Sequence, residues 1–281
     1  MVIDSQRLGR CVYGIDLAVG TALEALTLMN GLPAWGETPH NSWGGGLMVE
    51  DAELTVRHCV FRGNETAVGG GAYVVGAGEP VFEDCLFDGN MGTEVAGLLL
   101  RGVCDPQVRR CTFRNATLTM YGGGVSWFGS GEALLEDCLI EDNQVLDSGG
   151  GVEVMSGTAV LRRCTIRGNT AGYLGGGLVQ DLYGQAVLEE CVIDGNTADG
   201  LAGGVYVAGG GALEARDTTI LGNTAPVGPD GYVVSGATAT LRCCTIDEDA
   251  WTVHGLLVID NEDCAVAVRG MRWTDVRGLF R

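Results

Sequence analysis

Three markers recur along this chain with one period. A cysteine slot is filled by Cys59, Cys85, Cys111, Cys138, Cys164, Cys191 and Cys244, with Thr218 in the gap, in steps of 26 or 27 residues. Five residues later comes Asn64, Asn90, Asn143, Asn169, Asn196 or Asn223, while Ala116 and Asp249 hold that slot in the third and last repeats. A glycine run ends at Gly46, Gly71, Gly97, Gly124, Gly151, Gly177, Gly204 and Gly231. Self-similarity at such a period requires that each unit stack on the next to bury its apolar side. One unit reads Val160-Leu-Arg-Arg-Cys164-Thr-Ile-Arg-Gly-Asn169, a short loop, then Gly175-Gly-Gly177-Leu-Val-Gln. Segments such as Val205-Tyr206-Val207 alternate inward and outward as strands do.

No segment sustains a 3.6-residue period. Propeller blades need roughly 40 residues or more, and leucine-rich repeats have their own Leu/Asn pattern. The expected fold is therefore all-β: a single right-handed parallel β-helix of about eight coils, each 26–27 residues long. Its handedness follows from the chirality of parallel crossovers. Residues 1–22 read as an N-terminal cap or partial coil, 23–249 as the repeats, and 250–281 as a C-terminal cap and tail.

Equivalent residues of successive coils lie roughly 4.8 Å apart, so each repeated slot becomes a ladder. The cysteine slot faces the core, where a thiol packs as a small hydrophobe. A metal column is the sharper alternative, but atoms stacked along one strand face do not converge on an ion. The asparagines read as a structural ladder of side chains hydrogen-bonded along the axis. The glycine runs read as bends where no Cβ fits. Charge alternates from coil to coil before the cysteine slot: Arg57-His58, Glu83-Asp84, Arg109-Arg110, Glu136-Asp137, Arg162-Arg163, Glu189-Glu190. It alternates again three residues after it, through Arg62, Asp88, Arg114, Glu141, Arg167 and Asp194. Opposite charges on neighbouring strands attract and like charges repel, so the pattern sets register and is not a ligand patch.

The pairs Phe61-Arg-Gly-Asn64 with Gly70-Gly71-Ala72, and Ile166-Arg-Gly-Asn169 with Gly176-Gly177-Leu178, resemble the repeats of chlamydial polymorphic outer-membrane proteins. More broadly they resemble bacterial right-handed parallel β-helix surface proteins of pectin-lyase-like fold. The resemblance covers about residues 20–250 and differs from the polymorphic proteins in having no C-terminal membrane barrel. It implies the fold, and a function among adhesins, secreted wall proteins and polysaccharide-cleaving enzymes.

The net charge is −19, and all 17 basic residues are arginines. Such a surface repels phosphate backbones and anionic lipids, which makes nucleic acid a poor partner. No apolar run is long enough to span a membrane as a helix. The start lacks a signal-peptide pattern, so either a signal has been removed or the chain is not exported; the family resemblance places it as a secreted or cell-surface bacterial protein.

Function is expected where the repeat is broken. After each glycine run the outward slot is expected to hold Met48, Tyr73, Leu99, Ser126, Glu153, Val179, Tyr206 and Val233, an apolar stripe of the kind that marks a partner or ligand surface. The opposing reading is that loops cover these residues. Tyr73 and Tyr206 have rings to stack on sugars, and Leu99, Trp127, Glu153, Trp35 and Trp43 complete the candidate binding set. An enzyme needs convergent carboxylates; Glu153, Asp181 and Asp147 are the candidates, with no histidine among them. The Asn-Thr-Asp, Asp-Asp, Gly-His-Gly and Arg-Ile-Lys signatures of polygalacturonases, the Asp-Pro-His-Glu of alginate epimerases and the Arg-x-Pro-x-x-Arg of pectate lyases are absent. No cofactor is implied, although loop aspartates leave calcium open. The expectation is a non-catalytic β-helix that binds carbohydrate or a protein surface, or acts as a scaffold. The alternatives are a polysaccharide lyase, hydrolase or epimerase, and a spacer that associates end to end or through the stripe. Cys243 and Cys264 are candidates for a disulfide pinning the C-terminal cap, as are the off-ladder Cys11 and Cys104 for a second.

Overall fold

The computed structural model describes residues 1–33, 42–117, 119–261 and 264. The chain winds as a parallel solenoid with three main faces. The strands after the cysteine slot form a sheet ten strands deep, from Val2–Asp4 and Thr27–Met29 through Val60–Arg62 to Thr245–Ile246. This post-cysteine face has two more levels than the eight marked repeats (10 − 8), because Val2–Asp4 and Thr27–Met29 stack beneath Val60–Arg62 without a marker cysteine. A pre-cysteine face runs from Thr21–Glu24 and Leu54–Arg57 to Leu256–Asp260. A glycine face, formed by the strands after the glycine runs, goes from Val12–Ile15 and Leu47–Glu50 to Trp251–Val253. Residues 1–22 thus contribute strands to all three faces, and stacking continues to Asp260.

The inward slots of the post-cysteine face hold Leu28, Phe61, Phe87, Phe113, Ile140, Ile166, Ile193 and Ile220, all buried. Phe87 stacks on Phe61 at 4.4 Å and on Phe113 at 4.6 Å between ring centroids. The final glycine of each run passes too close to the next coil for a side chain. A Cβ on Gly124 would lie 2.7 Å from the carbonyl oxygen of Gly151 and 2.7 Å from Ile140 Cγ2.

The asparagine ladder is present. Asn143 Nδ2 donates to Asn169 Oδ1 at 2.9 Å, Asn169 to Asn196 at 2.9 Å, and Asn196 to Asn223 at 3.0 Å. Each asparagine also donates to a core-strand carbonyl of the preceding coil, as Asn169 does to Ile140 O at 3.0 Å. The last acceptor corrects the sequence reading. It is Asp230, whose Oδ1 takes both donors of Asn223 at 2.9 Å, and not Asp249, which lies in the exposed 3-10 turn Glu248–Ala250. An aspartate there ends the ladder because it accepts and has no donor to leave unpaired.

The cysteines from Cys59 to Cys191 are free and buried. They do more than fill space. Each thiol reaches the carbonyl two residues earlier, as Cys85 does Glu83 O at 3.2 Å and Cys138 does Glu136 O at 3.4 Å. Thr218 substitutes because its hydroxyl makes the same bond, to Arg216 O at 3.0 Å. That carbonyl also accepts a backbone amide from the preceding coil, as Glu83 O does from His58 N at 3.0 Å, and the residue between, immediately before the slot, is left-handed in every marked coil: His58, Asp84, Arg110, Asp137, Arg163, Glu190, Asp217 and Cys243 have φ between +49° and +55°. Such a conformation costs an L-residue roughly 1–2 kcal/mol, yet side chains are retained there, where most of them extend the charge ladders.

Those ladders alternate in space as in sequence. Arg57 meets Glu83 at 2.8 Å, Arg109 sits between Glu83 at 3.5 Å and Glu136 at 3.4 Å, and Arg162 meets Glu189 at 2.6 Å. Asp88 lies between Arg62 and Arg114, at 3.2 Å from each. Cys243 and Cys264 form a disulfide. Cys11 and Cys104 do not pair: both thiols are free, and burial pushes that of Cys104 up to about 11. The tail at 274–281 lies outside the described residues.

Candidate functional site

The outward slot of the glycine face departs from the repeat. In register it holds Tyr13, Met48, Tyr73, Leu99, Ser126, Glu153, Val179, Tyr206, Tyr232 and Thr252. Tyr232 takes the place expected of Val233, which instead turns into the core above Val207. The slot points away from the core; Tyr13 at its start is exposed, and the three positions after it are roofed. Met48, Tyr73 and Leu99 are buried in a separate cluster with Val68 and Val95, against Trp43. Trp43 meets the Tyr73 ring edge-on at 5.3 Å. The open apolar stripe expected there does not exist, because the loops preceding the glycine runs fold over it.

Trp127 is also corrected. It occupies an inward slot between Leu100 and Val154 and is 1% exposed. Trp35 lies outside the described residues. Tyr206 is half-buried and stacks on Tyr232 at 5.8 Å, and Tyr232 meets His254 at 5.5 Å. Tyr73 and Tyr206 belong to different surroundings, the first under the roof and the second beyond it.

Between them lie Ser126 and Glu153, themselves buried at 2% and 5% exposed, beside the roof cluster. A cleft of about 290 Å³ is lined there by Glu94, Leu99, Arg101, Tyr121, Phe128 and Met155 around this pair. Two local departures from the coil shape it. The strands Val125–Glu136 and Val152–Arg162 run through the corner between the glycine and pre-cysteine faces without a break. Their register slips where Trp127 faces Val154 and Phe128 faces Ser156, leaving Met155 as the additional residue. Such a bulge re-aims side chains beside a site.

Glu153 is 5% exposed, and Ser126 Oγ donates to its Oε2 at 2.7 Å. Burial pushes its carboxyl up to about 7, against the Ser126 hydrogen bond, and the charges of Asp181, Asp147 and Glu94 push the same way. The sequence candidates Glu153, Asp181 and Asp147 therefore share one electrostatic neighbourhood. Asp147 accepts from Ser148 Oγ at 3.1 Å, on the column that carries Tyr121, Ser148 and Leu174. Asp181 accepts from the Leu182 amide at 2.6 Å on the opposite side of the floor, directly after the strand Leu178–Gln180. Arg101 lies over the Phe128 ring at 4.9 Å. Exposed side chains stand beside the floor: Leu146 at 61% and Tyr173 at 54% on the Asp147 side, Tyr183 at 81% on the Asp181 side. Sequence reasoning missed Ser126 as a partner, and Tyr121 and Tyr173 beside the floor. Unequal coil contents at 121–128 and 146–155 were the available signal.

Among the described residues, no three His, Cys, Asp or Glu side chains are grouped to hold a metal ion. No helix there is long and apolar enough to cross a membrane. The stacked parallel coils and the capped asparagine ladder define a β-solenoid. The profile of the right-handed β-helix region family matches residues 36–145 and 96–275. The chain belongs to that family. No curated protein matches it.

Proposed function

We propose that this β-helix is a carbohydrate-binding protein, secreted or displayed at a bacterial surface, whose ligand lies along the glycine face from Ser126 to Tyr232. The observation that carries this reading is the groove itself. It has a polar floor, Ser126 and Glu153, and aromatic side chains in its lining, Tyr121 and Phe128, with Tyr173 and Tyr183 exposed in the neighbouring coils. Sites for hydroxyl-rich ligands combine ring faces with a few placed hydrogen-bonding groups. The disulfide at Cys243 is in keeping with an oxidising compartment. A glycan array tests the reading. Specific retention that Tyr173→Ala and Tyr183→Ala each weaken supports it, and absence of retention for every glycan overturns it. Tyr73 is no longer a useful probe, since its removal would open the roof cluster.

Glu153 favours a second reading. A buried carboxyl held near neutral pH in a cleft is suited to proton transfer. A lyase, hydrolase or epimerase would use it as acid or base, with Asp147 and Asp181 nearby. Incubation with polysaccharides, followed by unsaturated-product absorbance and reducing ends, decides between the readings: turnover that Glu153→Gln abolishes replaces binding with catalysis. End-to-end stacking has less support. Among the described residues the same ladder column runs from Glu24 to Asp260, so head-to-tail contact between those two levels would place like charges together.

A further inference from the structure

We propose that the post-cysteine face pairs with a second copy of this chain, the two solenoids lying side by side and antiparallel about a two-fold axis between the levels of Arg114 and Glu141. The glycine face takes no part, so the inference stands apart from the carbohydrate-binding reading. Two residues of each post-cysteine strand point outward. The first is uncharged at all ten levels, from Val2 through Val60, Thr112, Leu139 and Val192 to Thr245. The third makes the charge column from Arg62 to Asp194, with Met29 at the level before it and Leu221 at the level after. A continuous uncharged stripe rimmed by charge has the composition of a protein–protein contact.

The symmetry of the charges commits this face to its own copy. A two-fold axis along the strand direction keeps each column facing itself and reverses the order of its levels. An alternating run of six then meets itself sign against sign. Arg114 faces Glu141 of the second copy, Arg167 faces Asp88, and Arg62 faces Asp194. The corner column alternates in phase, so the same axis sets Arg110 against Asp137 and Arg163 against Asp84. Along the stripe Thr112 meets Leu139 and Val60 meets Val192, and beyond the charged run Met29 meets Leu221. At the outermost level Asp4 meets Asp247, acid against acid, where both are exposed to screening solvent.

The heights fit as the charges do. The side chains of Arg62, Arg114 and Arg167 are 53%, 39% and 54% exposed, those of Asp88 and Glu141 only 16% and 15%. Arginines are ridges and acids hollows, and the axis sets ridge into hollow. Arg62 gives Nη2 to Asp88, and a guanidinium has five N–H donors, so it can hold its ladder partner and a carboxylate across the axis together. The column is neutral, three arginines against three acids, on a chain of net charge −19; two copies can approach here without the repulsion of the remaining coat. The pre-cysteine face is less suited, since Glu214 interrupts its outward Val187 column and Arg242 stacks on Arg216. Ten levels at roughly 4.8 Å make a contact about 45 Å long. On the order of 1,000 Å² is buried in total, the low end for specific complexes, so the dimer is weak and salt-sensitive.

Sedimentation of the full chain, with no sugar present, tests this over about 10 μM to 1 mM protein. Dimer is expected at low salt, and less of it at high salt. Arg114→Glu and Glu141→Arg are each expected to weaken association at least roughly tenfold, about 1.4 kcal/mol, because each sets like charges together twice across the axis. Mixed in equal amounts, the two variants are expected to recover the parent's association, since the reversed site of each then faces an opposite charge on the other. A ladder acting only within its own chain gives no such recovery. Val192→Asp leaves both charge columns as they are and should weaken the dimer too, which keeps the test decisive if a reversal unfolds the chain. A monomer across the whole range, variants that associate like the parent, or a mixture no better than its parts each overturn the inference, and none of these bears on glycan binding at the glycine face.

Discussion

The edge of the solenoid made by the post-cysteine face with the corner at each of its ends, and the outward floor of the glycine face, are built on opposite rules. At the edge, a residue's main partner is its own equivalent one coil away: asparagine on asparagine, arginine on carboxylate, phenylalanine on phenylalanine. On the floor, successive coils present Leu99, Ser126, Glu153, Val179 and Tyr206, no two alike. Repetition satisfies every group and leaves little for a ligand. The floor keeps a buried acid whose neighbours push it toward neutrality. Stability is carried by the ladders, which leaves the slot they skip as the place for the recognition proposed above.

The largest expected effect breaks a ladder. Asn169→Ala removes two donors and an acceptor from the middle of the asparagine column. It strands Asn143 N, one N–H of Asn143 Nδ2 and Ile140 O, while Asn196 Oδ1 keeps the backbone amide of residue 169. Each buried unpaired group costs about 1–3 kcal/mol, so denaturant unfolding should show a loss of roughly 4 kcal/mol or more. A loss below 1 kcal/mol would mean that water or a shift of the coils replaces the asparagine, and the contrast between the two regions would fail.

The floor should behave in the opposite way. Glu153 has a folded pKa raised above its unfolded value. The stability it contributes is complete below the unfolded value and is lost as pH rises through the folded one, that is, between about 4.5 and 7. Glu153→Gln removes this liability. It should unfold like the parent protein at acid pH and be more stable by roughly 3 kcal/mol above pH 8. Identical pH profiles for the two proteins would show that Glu153 titrates normally and would remove the electrostatic distinction of the floor.

The same contrast explains how much was legible in the sequence. Periodic constraints leave periodic residues, so the coils, the asparagine and charge ladders and the inward cysteines could be read before any coordinates. The roof over Tyr73 stood only as one of two readings, loop cover against an open stripe. It depends on how the loops reaching Trp43, Val68 and Val95 fold across the face, and loops carry no repeat. Trp127 was counted among the binding aromatics, although alternation from the outward Ser126 already turns its ring inward, as the register shows. The left-handed corner at Asp84 or Arg163 was hidden because the residues there are chosen for charge, not for the glycine-like φ they adopt. Glu153 was found because an acid in an otherwise apolar slot is conspicuous; its partner Ser126 was not.

A smaller effect should come from completing the ladder. The third coil has Ala116 where the others have asparagine. Ala116 N donates to Asn143 Oδ1 at 3.1 Å, as an asparagine there would, but the column is broken on the Asn90 side. Ala116→Asn supplies an acceptor to Asn90 and a donor to Asn143. Thermal unfolding should show a gain of about 1–2 kcal/mol, one to two added buried hydrogen bonds. Destabilisation would mean that the coil has closed over the gap and has no room for the amide.

The smallest effect tests the charge ladder, and its salt dependence separates it from the others. Glu83 lies between Arg57 and Arg109, and the Arg57 hydrogen bond holds its carboxyl below the usual range. Glu83→Arg would stack three arginines. Exposed pairs are worth only ~0.2–1 kcal/mol each, so the expected loss is about 1 kcal/mol at low salt, shrinking as salt screens the column. Because the folded pKa of Glu83 is depressed, the parent protein's advantage should be present above about pH 4 and vanish as pH falls below it. A loss that is independent of salt and pH would assign the cost to packing of the longer side chain, and the alternation would then act on register during folding more than on final stability. Arg242 sharpens the point: it stacks directly on Arg216 against the alternation, and each turns away to a carboxylate, Asp260 and Glu189. The column tolerates one like-charged step where both members have acids on their outer sides; Glu83→Arg creates two such steps around a residue with none.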